Sequence, residues 1–281
     1  MSRRLCAVLL AAGEGTRLRP LTTIRPKALC PVGNVALLDR AVAAVATLGL
    51  SGDRDVAVNA WHLAAQLLAH RFATAPRVAP ETGAQPLGSS GGVAALRDWI
   101  DGRDVVVGNA DAYLAGGTLA GLTADWTGDE VRMLGVPVER HAVDDFGQHR
   151  FAGFTAIPWR WIESLKVEPT DLVRTVWRPA EAAGELRVVE YAGRYVDCGT
   201  PADYLTANLD DAVRRGVDGS VVAPDAVIGG VIADSVIGPG AIVAGSVRRC
   251  VVWPGAVVSA GEHLVDAIRY GRDRADTISA G

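Results

Sequence analysis

The run Leu5-Cys6-Ala7-Val8-Leu9-Leu10-Ala11-Ala12 breaks abruptly into Gly13-Glu14-Gly15-Thr16-Arg17. Eight apolar residues without polar alternation suit a strand buried on both faces, so the chain opens with a strand of a covered parallel sheet. The glycines then let the backbone turn sharply and bring bare N–H groups close to a ligand. Arg17 and Arg19 follow at once, and Lys27 stands behind Pro26. Backbone donors, a guanidinium and an ammonium converging after a first strand describe a polyphosphate site. The glycines alone also fit an ordinary strand-to-helix turn. The string lacks the third glycine of a dinucleotide fingerprint and the Gly-Lys-Ser/Thr of a P-loop.

Lysine usage points the same way. Of 28 basic residues only Lys27 and Lys166 are lysines. In so arginine-rich a chain, a lysine marks a position that wants a compact point charge instead of a planar fork. The net charge of −4 supplies no basic field to draw the chain to nucleic acid or to a membrane surface. Cys6, Cys30, Cys198 and Cys250 have neither Cys-x-x-Cys nor metal-site spacing, as expected of plain thiols in a cytoplasmic protein. Ser2-Arg3-Arg4 before the apolar run imitates a short signal peptide, but cleavage there would destroy the glycine turn, so the run is read as a strand. No apolar stretch approaches the roughly 18 residues of a membrane helix.

The chain then alternates. Leu37 to Leu48 reads as a helix ended by Gly49, Asp55 to Val58 as a strand, and Trp61 to Phe72 as a second helix. Val105-Val106-Val107 is another buried strand. This predicts a Rossmann-like α/β domain with a mostly parallel sheet, whose ligands sit beyond the carboxyl ends of the strands. Asn59, after the second strand, reads as a helix cap or a ligand contact.

Leu10-Ala11-Ala12-Gly13-x-Gly15-Thr16-Arg17-Leu18-x-Pro20, with Pro26-Lys27-x-Leu29-x-Pro31-Val32, resembles the signature of the sugar-1-phosphate nucleotidyltransferases. A second long match, Tyr195-Val196-Asp197-Cys198-Gly199-Thr200-Pro201 through Tyr204, Ala207 and Asn208, lies far downstream in the right order. The resemblance implies a nucleotide-diphospho-sugar transferase fold and a set of roles. Leu10, Ala11, Ala12, Gly13, Glu14, Gly15 and Thr16 would hold the nucleotide phosphates. Glu81 and Gly88-Ser89-Ser90 would serve the base, since small residues admit a flat ring. Arg17 and Lys27 would be catalytic, and Asn109, Gly153 and Glu168 would face the sugar phosphate. Asp111 and Asp197 would hold Mg²⁺. Strand-end or helix-cap roles are the alternatives for Asp111 and for Thr170-Asp171. Many members carry Glu-Lys-Pro after the strand beginning near Val131; here Glu139-Arg140-His141 replaces it and the connection is short. Arg140 or Arg150 is left to neutralise the sugar phosphate.

From about Ser220 the texture changes. Pro224, Pro239 and Pro254 are spaced by 15, as are Ala226, Ala241 and Ala256, with Ile228, Val243 and Val258 following. Internal repetition with β-branched segments predicts a solenoid. It is similar to the left-handed β-helix tail of mannose-1-phosphate guanylyltransferases. Residues 1–215 are thus read as the catalytic domain and 216–281 as a β-helix through which copies self-associate. Residues 272–281 are expected to fray.

The reaction implied is transfer of a nucleotidyl group from a nucleoside triphosphate to a sugar 1-phosphate. The first expectation is GTP with mannose 1-phosphate or a related sugar such as a heptose 1-phosphate. Uridylyl, thymidylyl and adenylyl transfer remain open, as does a catalytically weak regulatory paralogue. The compressed middle segment is also similar to the short uridylyltransferases of cell-wall amino-sugar recycling. A β-helix acyltransferase is disfavoured, because the tail is short and His263 is its sole histidine.

Overall fold

The computed structural model describes residues 5–139 and 145–281. The chain divides into two compact units. The first comprises residues 1–14, 25–28 and 38–195; the second comprises residues 15–24, 29–37 and 196–281.

A seven-stranded sheet forms the first unit. Its strands are β1 (Leu5–Leu10), β2 (Val56–Ala60), β3 (Arg77–Pro80), β4 (Asp104–Asn109), β5 (Val131–Pro137), β6 (His149–Ile157) and β7 (Leu186–Glu190). Their order across the sheet is β7-β5-β6-β4-β1-β2-β3. β1 runs parallel to both β2 and β4, and β3 runs parallel to β2. β6 runs antiparallel to its neighbours β4 and β5. The central strands are buried nearly throughout, as their unbroken apolar runs require. Helices α1 (Leu37–Ala46), α2 (Ala64–Ala69) and α3 (Gly88–Ala95) belong to the connections. Helix α2 is shorter than the residue pattern predicts. Leu63 adopts a left-handed conformation at its start and His70 an extended one at its end, which confines the helix to six residues.

In the second unit, Pro31–Val32 and Val35–Ala36 form a small antiparallel hairpin. Gly33 and Asn34 both have positive φ, 57° and 66°, the backbone of a tight two-residue turn. Helix α4 (Pro201–Arg215) holds this hairpin by polar contacts: Asn208 Oδ1 accepts from the Gly33 amide at 3.0 Å, and Tyr204 donates to the Pro31 carbonyl. Thr200 caps α4 through the Asp203 amide, and Pro201 opens its first turn.

The C-terminal strands stack into three parallel sheets, the arrangement of a β-helix. Ile228, Val243 and Val258 are register partners along one of them. The repeat is 15 residues for the first two steps. It widens to 17 where Val251 pairs Ile268 and Ser246 pairs His263. The tail is not frayed. Thr277–Ser279 pairs antiparallel with Ala267–Arg269, and Arg269 Nε donates to Thr277 Oγ1 at 2.7 Å. Ile278 placed opposite Ile268 covers an otherwise open strand edge, which the polar composition of residues 272–276 conceals.

Candidate active site

Strands β1, β2 and β4 end side by side, and their carboxyl ends open on a cleft of about 230 Å³. Leu10, Ala12 and Gly13 form one wall, and Asn109 and Asp111 continue from β4. Pro86, Gly88 and Ser89 close the side opposite the glycine turn. The start of the glycine turn, the Gly88-Ser89 loop and the strand end at Asn109 and Asp111 therefore meet where a parallel sheet leaves room for a ligand.

Lys27 carries the charge of this cleft. It is 7% exposed, and its Nζ donates to Asp111 Oδ2 at 2.9 Å. The carboxylate side chain is 35% exposed, so the pair has one dry and one wet partner. A buried ammonium held on a cleft-lining carboxylate is a compact, fixed point charge.

The loop before α3 is built against the segment that follows Lys166. The Thr170 amide donates to the Leu87 carbonyl and the Ser90 amide to the Thr170 carbonyl, both at 3.1 Å. Ser89 Oγ accepts from the Leu172 amide, and Thr175 Oγ1 donates to Ser90 Oγ. Gly88 has φ +71°, and a Cβ there would stand 2.3 Å from the Thr170 carbonyl oxygen. At Gly91 a Cβ would stand 2.2 Å from that of Glu168. These glycines let two backbones touch, a demand separate from room for a base. Ser90 is fully buried and turned inward. Asp171 Oδ1 accepts from the Arg174 amide, as its expected capping role requires.

Other expected residues lie elsewhere. Glu81 lines a second cavity of about 150 Å³ that shares Asn59 with the cleft, and its carboxylate accepts from Asn59 and from the Leu87 amide. Asn59 caps no helix; it sits inside β2 and, unlike these others, lines the cleft. Gly153, with φ +82°, faces Ala112, Leu114 and Tyr195. The Glu168 side chain is exposed. Arg150 is exposed on β6 opposite Val136, and Arg140 lies outside the described residues. Ala11 is buried, and its amide is held by Asn59. Glu14 belongs to the first unit.

Gly15, Thr16, Arg17 and Asp197 belong to the second unit. Gly15, at φ 61°, starts a short 3-10 turn over Thr16–Leu18, and Thr22 Oγ1 donates to its carbonyl at 2.9 Å. Arg17 Nη2 stands 3.5 Å from Asp197 Oδ2, with both side chains well exposed. Each of the two expected cationic catalysts thus rests on one of the two expected metal carboxylates. Among the described residues no group of three or more His, Cys, Asp or Glu side chains is placed to hold a metal. None of the four cysteines is in a disulfide and all are buried, and burial raises the Cys6 thiol to about 12. No helix among the described residues is long and apolar enough to cross a membrane.

The model of the MobA-like NTP transferase domain matches residues 7–194. A mannose-1-phosphate guanylyltransferase of Mycobacterium tuberculosis is 27% identical, over 80% of this chain and 74% of its own. An N-acetylmuramate α-1-phosphate uridylyltransferase of Caulobacter vibrioides is 33% identical over a shorter span, 43% of this chain and 52% of its own. The fold is similar to that of a Bacillus anthracis protein described as a glucose-1-phosphate thymidylyltransferase. That match has a TM-score of 0.57 at 16% identity, over 76% of this chain and 96% of the other. With two thirds of its length matched, and its cleft at the ends of the matched strands, the chain belongs to the MobA-like NTP transferase family.

Proposed function

We propose that the protein is a sugar-1-phosphate nucleotidyltransferase, and that GTP and mannose 1-phosphate are its first candidate substrates. One observation carries the reaction class: a buried lysine fixed on Asp111, a residue lining the cleft together with the Gly13 turn and the Gly88-Ser89 loop. The names of the guanylyltransferase relatives support the choice of substrates. The uridylyltransferase relative and the short connection after β5 favour uridylyl transfer to an amino-sugar phosphate as the second reading. In that connection Phe146 and His149 pair directly around Gly147-Gln148.

In this reading a phosphate oxygen of the sugar 1-phosphate attacks the α-phosphorus in line. The new O–P bond forms as the α–β bridging bond breaks, and pyrophosphate leaves. The protein's part is positioning and charge neutralisation. Lys27 meets the α-phosphate oxygens, where two anions must be brought together. The Gly13 turn offers backbone donors to the outer phosphates. The parts given to Arg17, on the leaving pyrophosphate, and to Asp197, as a second metal carboxylate, rest on their motifs.

The donor chemistry fits Mg²⁺ in one respect. Asp111 presents a hard carboxylate oxygen at the cleft, and a cation with so few protein ligands completes its shell with water and phosphate oxygens. When bound, Mg²⁺ supplies charge neutralisation of the triphosphate. We extend the proposal to a catalytic region spanning residues 1–215 and a β-helix over 216–281 that meets a second copy. Val222, Val227 and Val231 on its first coil are exposed and apolar. The setting proposed is cytoplasmic, with no nucleic-acid or membrane partner.

The test is pyrophosphate release with Mg²⁺ across a grid of five nucleoside triphosphates and several sugar 1-phosphates. Turnover in one cell names both substrates. A blank grid from folded, nucleotide-binding protein rejects catalysis in favour of a regulatory paralogue.

A further inference from the structure

Three hydrogen bonds run in series behind the cleft. The Ala11 amide donates to Asn59 Oδ1 at 2.7 Å. Asn59 Nδ2 donates to Glu81 Oε1 at 2.8 Å. The Leu87 amide donates to Glu81 Oε2 at 2.8 Å. The chain of bonds begins on the glycine-turn wall of the cleft and ends on the loop that forms the facing wall. Asn59 is 2% exposed and lines the cleft, and Glu81 is half-buried and lines a second cavity that shares Asn59. Packing leaves the series no slack. A Cβ at Gly92 would stand 2.5 Å from Asn59 Nδ2, and the Glu81 amide is itself tied to the Ala60 carbonyl at 2.7 Å.

We propose that Asn59 and Glu81 are positioning residues, a polar strut that sets the separation of the two cleft walls. The proposal deepens the reading of the cleft as a nucleotide site and rests on it. Both Glu81 oxygens accept within the series, one from each wall's side, so the carboxylate is held at two points. The strut's value lies in pre-organisation. Walls held at the bound separation need not be ordered when the ligand enters. Its far end continues into the Thr170–Thr175 segment through the Leu87, Ser89 and Ser90 contacts, so the segment carrying Glu168 shares the same frame.

The polarity of the series suggests its own test. In N59D two carboxylates face each other. In E81Q an amide N–H faces either the Asn59 amide or the Leu87 amide. In the double variant N59D/E81Q every bond is restored with reversed polarity in the middle. The new carboxylate at position 59 accepts from Ala11 and from the new amide at position 81, whose oxygen accepts from Leu87. Two readouts are taken: hydrogen exchange of the Ala11 and Leu87 amides without ligand, and titration with ribose-labelled fluorescent GTP and UTP.

Each single variant should speed exchange at both amides and weaken nucleotide binding by roughly 10- to 100-fold. The double variant should return both readouts to within about threefold of wild type. Restored protection without restored binding overturns the proposal and makes Glu81 a direct nucleotide contact. Unprotected amides in the double variant reject the strut itself. Both results are read from the double variant and wild type alone, so they stand even where a single variant does not fold. Wild-type protein that binds neither nucleotide rejects the site reading instead, and the exchange data still decide whether the strut exists.

Discussion

Replacing Lys27 by methionine tests the central charge of the site. Methionine keeps most of the buried stem and deletes the ammonium that donates to Asp111 at 2.9 Å. The freed carboxylate is not stranded, because 35% of its side chain is open to water. Folding therefore loses the charge-assisted hydrogen bond to Asp111 without the full penalty of a dry, unpaired carboxylate, about 1–2 kcal/mol for that bond. For a chain of this size that lowers the melting temperature by about 2–8 °C. Turnover suffers more, because the reaction brings anion against anion and one fixed donor at such a centre is worth about 10²- to 10³-fold. The assay is pyrophosphate release at saturating substrates, with thermal melts on the same preparation. Lys27→Met turning over within tenfold of wild type, with both substrates saturating, would refute the assignment. Lys27→Arg should also lose at least about tenfold, since a planar fork does not fit the slot of a 7%-exposed lysine.

Three further outcomes follow from the packing. Gly91→Ala forces a methyl against the Glu168 carbonyl, so α3 and the Thr170 segment must part. We expect a stability loss of about 1–3 kcal/mol with weaker nucleotide binding, and unchanged binding would separate the loop from the site. Tyr204→Phe deprives Trp253 Nε1 of an acceptor at 3.0 Å and the Pro31 carbonyl of a donor, all buried. Denaturant melts should register about 1.5–3 kcal/mol, and a loss under about 0.5 kcal/mol would mean water or repacking replaces both bonds. Burial alone would raise the Glu262 carboxyl, but Arg269, the Ser259 amide and Arg274 outweigh it and hold the group below its ordinary value. Its stabilisation is complete above the unfolded value of about 4.3 and is lost as pH falls through it toward the lower folded one. Wild-type melts from pH 7 to 3 should fall more steeply than those of Glu262→Gln, and equal slopes would remove this carboxylate from the acid response.

The residue pattern alone determined much of this architecture. Buried strands declare themselves by unbroken apolar runs, as β1 and β4 do, because a strand covered on both faces has no polar side to advertise. A solenoid declares itself by period, and the 15-residue spacing of Ile228, Val243 and Val258 became register partners. Motif resemblance found the cleft residues Leu10, Gly13, Gly88, Ser89, Asn109 and Asp111. Only tertiary structure decided which side chains face the ligand space and which hold its walls. In a string of letters Glu81 and Asn59 have no visible partner, whereas the fold joins each to a neighbour more than 20 positions away in sequence. Glycines at 88 and 91 read as room for a ring, but they also admit the carbonyls of Thr170 and Glu168. The same holds for the segments 15–24 and 29–37, which gather with the C-terminal unit instead of the sheet that brackets them in sequence. Spacing encodes local periodicity. A long-range hydrogen bond depends on which remote backbone arrives beside it, and that is set by the packing of the whole chain.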